Sequence, residues 1–141
     1  MWDWIKQNPG TVFLIVLAFG LVGRSFNWFL PVPTDDPTAP VRTFTQAHWQ
    51  AEVLDARQPV LVDFWAPWCP PCRSQGPLVA EAAKAVSGTA VVGKVNVETE
   101  SALAERYGIT GIPALLIFKD GREIRRFVGL TRTETLVQAL R

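Results

Sequence analysis

The stretch from Val60 to Trp65 (VLVDFW) does most to limit what this chain can fold into. It follows Pro59 and is continuously apolar apart from Asp63, the pattern of a strand buried on both faces rather than one with a wet side. Such a strand needs other strands beside it and further layers above and below. After the short loop Ala66–Trp68 comes Cys69, and then Pro70, whose fixed φ and missing N–H suit the first turn of a helix. A buried strand therefore delivers a cysteine to the start of a helix.

The rest of the chain can be read around that unit. Thr45 is placed to cap a helix carrying Trp49 and Val53 on one face. Pro70 opens a helix continuing to about Val86, and Pro77 within it is expected to produce a kink. Val91 to Val97 reads as the next strand, Thr99 to Tyr107 as a helix stopped by Gly108, and Ala114 to Phe118 as another strand. Asp120-Gly121 is a hairpin signal that pairs this strand antiparallel with Glu123 to Val128. Thr131 with Glu134 then reads as a capping box for a last helix burying Leu136 and Leu140. Alternation followed by a hairpin implies an α/β fold with a central mixed sheet and helices on both faces.

With 141 residues the chain has room for one ordinary domain and an appendage. Residues 1–30 differ from the rest: the uncharged run from Thr11 to Gly23 is flanked by Lys6 and Arg24, with Trp2 and Trp4 on one side and Trp28 and Phe29 on the other. Aromatic residues at both ends suit the two interfaces of a membrane, although the run is shorter than the roughly 20 residues a span usually needs. The expected reading is a retained hydrophobic anchor helix, with a cleaved signal segment and a soluble apolar tail as alternatives. Residues 31–40 carry four prolines with Asp35 and Asp36, the composition of an extended spacer. Residues 41–141 form the domain, which is expected on the outer (periplasmic or extracytoplasmic) face of the membrane.

Lysine and arginine total 14 against 13 aspartate and glutamate, so no nucleic-acid surface is indicated. Cys69 and Cys72 are the only cysteines, and the one histidine, His48, is far away in sequence. A zinc site would have to recruit carboxylates, and a disulfide closing so small a loop adds little stability. Two inert buried cysteines are a further reading. Reactivity explains the pair better: at a helix start, unpaired N–H groups and the dipole stabilise a thiolate, and Cys-X-X-Cys spacing lets the second sulfur resolve a mixed disulfide. Cys69 is then the nucleophile and Cys72 the resolving thiol.

Asp63 is the only charge in its strand. Buried there, it would hold its proton more firmly and could serve Cys72 as a base; at a wet strand end it would simply bond a backbone donor. Lys94 poses a similar choice between pairing with Asp63 and pointing its ammonium to solvent.

The stretch VLVDFWAPWCPPCR, the later GIPALLIFKDG and the terminal FVGLTR resemble the thioredoxin family, in unbroken order over roughly Val41 to Arg141. The resemblance implies the thioredoxin fold and a reversible dithiol–disulfide reaction needing no cofactor or metal beyond the Cys69–Cys72 pair. It implies Cys69 as attacking cysteine, Cys72 as buried resolving cysteine and Asp63 as acid–base residue with Lys94 its partner. Trp65 and Trp68 become walls of the site and Pro77 the helix kink. It further implies a cis proline at Pro113, where the backbone of Ile112 pairs with the substrate chain in a strand-like contact. Gly111 and Gly129 would keep that groove open, or serve only as turn residues.

The chain departs from the family in having Pro70-Pro71 where Gly-Pro is usual. Pro70 deletes an N–H that would otherwise be available to the Cys69 thiolate, so the redox potential does not carry over. The leading expectation is a membrane-tethered, monomeric protein-disulfide reductase acting on disulfide-containing proteins and regenerated by an unidentified electron donor. A disulfide-forming oxidant and a non-catalytic binding or chaperone module are the alternatives.

Overall fold

A computed structural model describes residues 40–141. The proposed anchor, residues 1–30, and all but the last residue of the spacer lie outside the described residues. Among those described, no helix is long and apolar enough to cross a membrane.

Five strands form one mixed sheet: β1 (Val41–Thr43), β2 (Val60–Trp65), β3 (Val91–Asn96), β4 (Ala114–Lys119) and β5 (Arg122–Val128), in the spatial order β1-β3-β2-β4-β5. β1, β3 and β2 run parallel, whereas β4 is antiparallel to β2 and β5 to β4. β2 thus has a neighbour on each side, as its apolar run requires. Its side chains alternate between two cores. Val60, Val62 and Phe64 join Trp49, Val53 and Leu103 on one face, while Leu61 joins Val79, Ala83 and Leu136 on the other.

Helix α1 (Pro70–Ala85) and helix α3 (Thr133–Ala139) cover the Leu61 face; a π-helical turn (Gln50–Leu54) and helix α2 (Ser101–Arg106) cover the other. Pro77 lies inside α1, which continues through it. Trp49 anchors the second layer: it is buried, its ring meets Phe118 edge-on at 5.5 Å, and its Nε1 donates to the Tyr107 hydroxyl at 2.8 Å. The indole therefore fills the core and satisfies its only donor.

Several expectations needed correction. β1 was not anticipated, because three residues with one half-buried apolar side chain carry no readable period; its partner β3 supplies the structure. Thr45 does not cap a helix with its side chain. Its hydroxyl lies 3.2 Å from His48 Nδ1, and the following helical segment is a single wide turn closed by Asp55 N–H on Gln50 O. The capping box at Thr131 is also absent: α3 begins at Thr133 with Arg132 as its N-cap and no side-chain cap bond. The hairpin is present, with Asp120 at φ 51° and Gly121 at φ 75°, two successive left-handed residues that match the twist of the strands they join.

Gly93 in β3 has a packing reason to be glycine. A Cβ there would come within 2.7 Å of Cζ of the fully buried Phe44 ring, which lies across the strand. Gly93→Ala should therefore lower the unfolding free energy by about 1–3 kcal/mol, the usual cost of overpacking. Chemical denaturation measures this, and an unchanged midpoint would contradict the packing argument.

Candidate functional site

The site begins where β2 ends. Cys69 has an extended backbone (φ −93°, ψ 104°) and occupies the N-cap of α1, with Pro70 and Pro71 filling the first two helical positions. Its Sγ accepts the Cys72 backbone N–H at 3.3 Å. Since neither proline carries an N–H, Cys72 provides the first amide of the helix, and it is aimed at the sulfur. Cys69 and Cys72 are joined in a disulfide, with Cα atoms 5.3 Å apart. They are 3% and 4% exposed and pack with Ala66 against Trp65, Val97 and Ile112.

Asp63 is 4% exposed, which excludes the wet strand end as its setting. Its position in β2, two residues after Leu61, places it on the face covered by α1. Lys94 is its register partner on β3, one pair beyond Val92 on that same face. Lys94 Nζ stands 5.1 Å from the centre of the Trp65 ring, so the ammonium lies over an aromatic face. One end of this sheet face therefore gathers a carboxylate, an ammonium and an indole beneath the cysteines.

The opposite wall is the segment leading into β4. The Ile112–Pro113 peptide is cis, and Ile112 O lies 3.8 Å from Cys69 Sγ. Pro113 is buried, and its carbonyl accepts the Gly129 N–H at 2.8 Å. Gly129 has φ 90°, and open space surrounds the position its Cβ would take; a Cβ on Gly111 would make ordinary contact with Val128 at 3.6 Å. Trp68 is 62% exposed, and its Nε1 donates to Glu98 Oε1 at 3.0 Å. Its indole lines a shallow pocket of about 160 Å³ with Val97, Ile109, Thr110, Gly111 and Ile112. A disulfide thus sits at a helix start, with a buried carboxyl and a half-buried lysine in register on the sheet face below it and a shallow apolar groove beside it.

In sequence the chain is similar to thioredoxins. The family model described as Thioredoxin matches residues 40–141. Thioredoxin 1 of Synechococcus elongatus is 47% identical over 96 residues, which are 68% of this chain and 90% of that protein. Thioredoxin of Synechocystis is 43% identical over 96 residues, with the same shares of the two chains. Thioredoxin of Pyropia yezoensis is 41% identical over 100 residues, covering 71% of this chain and 94% of that one.

The chain belongs to the thioredoxin family. It has the thioredoxin fold and is a thiol–disulfide oxidoreductase of the protein-disulfide reductase type, acting on disulfide-containing substrates. The exchange needs two sulfurs that can alternate between thiol and disulfide, and Cys69 and Cys72 are joined in the oxidised form.

Two residues outside the site's lining, Glu98 and Gln75, brace segments around it and carry weaker signals in the sequence. Glu98, which holds the Trp68 indole, follows a strand in a polar stretch with no periodic signal. Gln75 is fully buried in α1, bonded to the backbone of Thr131. Its spacing was a usable signal: it lies three residues after Cys72 and four before Val79, on the stripe that α1 buries. Arg73, the next residue after Cys72, folds its guanidinium back to Pro67 O at 3.2 Å.

Proposed function

We propose that this thioredoxin is a membrane-tethered protein-disulfide reductase in which Cys69 attacks, Cys72 resolves and Asp63 handles the proton. The Cys69 thiolate attacks one sulfur of a substrate disulfide, forming a mixed disulfide and releasing the other substrate sulfur as a thiolate. Cys72, deprotonated in turn, attacks Cys69 Sγ, which re-forms the Cys69–Cys72 disulfide and releases the substrate as a dithiol. Two electrons pass to the substrate, and an external dithiol donor returns them. Burial of Asp63 on the face below α1 supports its role, because a carboxyl removed from water holds a proton to higher pH and can exchange it with a neighbouring thiol. Lys94 stands beside it in register.

In this reading Trp65 and Trp68 wall the site, while Ile112 and Pro113 present backbone to the substrate chain. Gly111 and Gly129 border that groove. Main-chain pairing of this kind suits an enzyme that accepts many sequences. A Cys69→Ser chain should lose insulin-disulfide reduction with dithiothreitol, and Cys72→Ser should trap the mixed disulfide on Cys69 as a species visible on non-reducing gels. Full activity in Cys69→Ser would reject the assignment.

One observation carries the direction of electron flow: the helix start facing Cys69 Sγ offers the Cys72 N–H, while Pro70 and Pro71 offer none. Fewer donors stabilise the thiolate less. The dithiol state is then the less favoured one, which makes the pair a reductant, whereas strong oxidants of this chemistry stabilise their reduced form. Equilibration with glutathione should give a potential at or below about −270 mV, the value of thioredoxin itself; about −120 mV would make the chain an oxidant. Pro70→Gly restores a donor and should raise the potential by on the order of 30 mV, equivalent to about 1.4 kcal/mol.

The tether rests on sequence. The apolar run in residues 1–30, its flanking tryptophans and the proline-rich spacer 31–40 support an anchor with the domain held on the outer face. The full chain should then fractionate with membranes, bearing an intact amino terminus. A mature chain beginning after Gly23 would show a cleaved signal instead.

A further inference from the structure

Gln75 is a polar side chain with no exposure, one turn beyond Cys72 on α1. Its Nε2 donates to Thr131 O at 3.0 Å, and its Oε1 accepts the Thr131 N–H at 2.8 Å. Paired bonds from one planar amide to both backbone groups of one residue fix the orientation of that residue as well as its distance. The Thr131 hydroxyl donates to Gly129 O at 3.1 Å, and the Gly129 N–H donates to Pro113 O at 2.8 Å. Pro113 follows Ile112, whose carbonyl oxygen lies 3.8 Å from Cys69 Sγ. A closed circuit of contacts therefore runs from Cys72 through Gln75, Thr131, Gly129 and Pro113 back to Cys69.

We propose that Gln75 is a positioning residue that holds the Ile112–Pro113 segment in place against the Cys69–Cys72 pair, so that a substrate chain bound there presents its disulfide to Cys69. The proposal rests on the reading of Ile112 as the backbone that pairs with substrate. An apolar side chain could fill the same space, as Val79 does further along the buried stripe of α1. It would leave the Thr131 N–H and C=O without these bonds and would let the loop slide, because packing fixes separation better than rotation. Errors of about 1 Å in groups that align reactants can reduce rates about 100-fold. Protein substrates that lie along Ile112 feel such an error. A small disulfide that reaches Cys69 without main-chain pairing does not.

Gln75→Met keeps the side-chain length and removes both bonds. In the full-length chain it should lower kcat/KM for insulin reduction about tenfold, mainly through KM, a smaller loss than the limit for misaligned reactants. Reduction of the small aromatic disulfide 5,5′-dithiobis(2-nitrobenzoate) should change less than about twofold, because that step bypasses the groove. A folded variant whose two rates are unchanged, or fall equally, would overturn the proposal by reducing Gln75 to a stabilising contact.

Where Gln75→Met does not fold, amide hydrogen exchange in the wild-type chain decides. Protection of the Thr131 amide matching the core of α1 supports the clamp, and exchange at open-loop rates overturns it. A wild-type chain that reduces the small disulfide but leaves insulin intact would remove the substrate-pairing reading, and the proposal with it. That result is distinguishable from a failure of Gln75 alone.

Discussion

The burial of β2 is the constraint on which the other features depend. It lies between β3 and β4 with a helical layer over each face, so its peptide groups must bond to neighbours and its side chains must alternate between two cores. Its register cannot slip by one residue without moving Val60, Val62 and Phe64 into the wrong layer. That fixed register determines where Trp65 ends the strand, and hence where Cys69 meets the first turn of α1. It also commits Asp63 to the face beneath that helix. The sulfur, the acid and the helix start are placed together by a packing requirement that has nothing to do with redox chemistry.

Within that frame, local electrostatics set what the sulfurs can do. A helix start favours negative charge, and here the favour is delivered through the Cys72 N–H, because two prolines occupy the positions before it. The dipole of the helix and the number of hydrogen bonds to sulfur therefore act separately: the first follows from the fold, the second from two residues. A family can keep one scaffold and move its thiol chemistry by changing only the residues between the cysteines.

Legibility followed how local each signal was. The buried strand, the proline-started helix and the Asp120-Gly121 hairpin were readable because each depends on adjacent residues, and both cysteines were readable for the same reason. Thr45 and Thr131 carried local capping signals that lost to other partners: the Thr45 hydroxyl lies beside His48 three residues on, while Thr131 is bonded by the distant Gln75 and by Gly129 two residues before it. β1 depends on β3 for its existence, and the space left by Gly93 depends on Phe44, so neither is visible in its own segment. Gln75 was hidden by its chemistry, since a glutamine on a helix reads as solvated unless the apolar stripe around it is counted. The cis geometry before Pro113 came from family resemblance alone; most X-Pro bonds are trans.

Recognition of substrates through main chain, as proposed for this site, would place an unusual demand on its scaffold. Where side chains carry recognition, a loop can shift while a long residue swings to compensate; where the backbone itself is the contact surface, nothing compensates. The backbone has to be held by bonds to its own N–H and C=O groups. The segments beside the groove are held in this way: Gln75 grips Thr131, and Gly129 grips Pro113. Packing alone would stabilise these segments without fixing how their peptide planes point. In the proposed reading, such polar contacts let a reactive sulfur and a generic peptide surface face one another in a constant geometry, which would be a reason for a helix to bury a glutamine where an aliphatic side chain would pack as well.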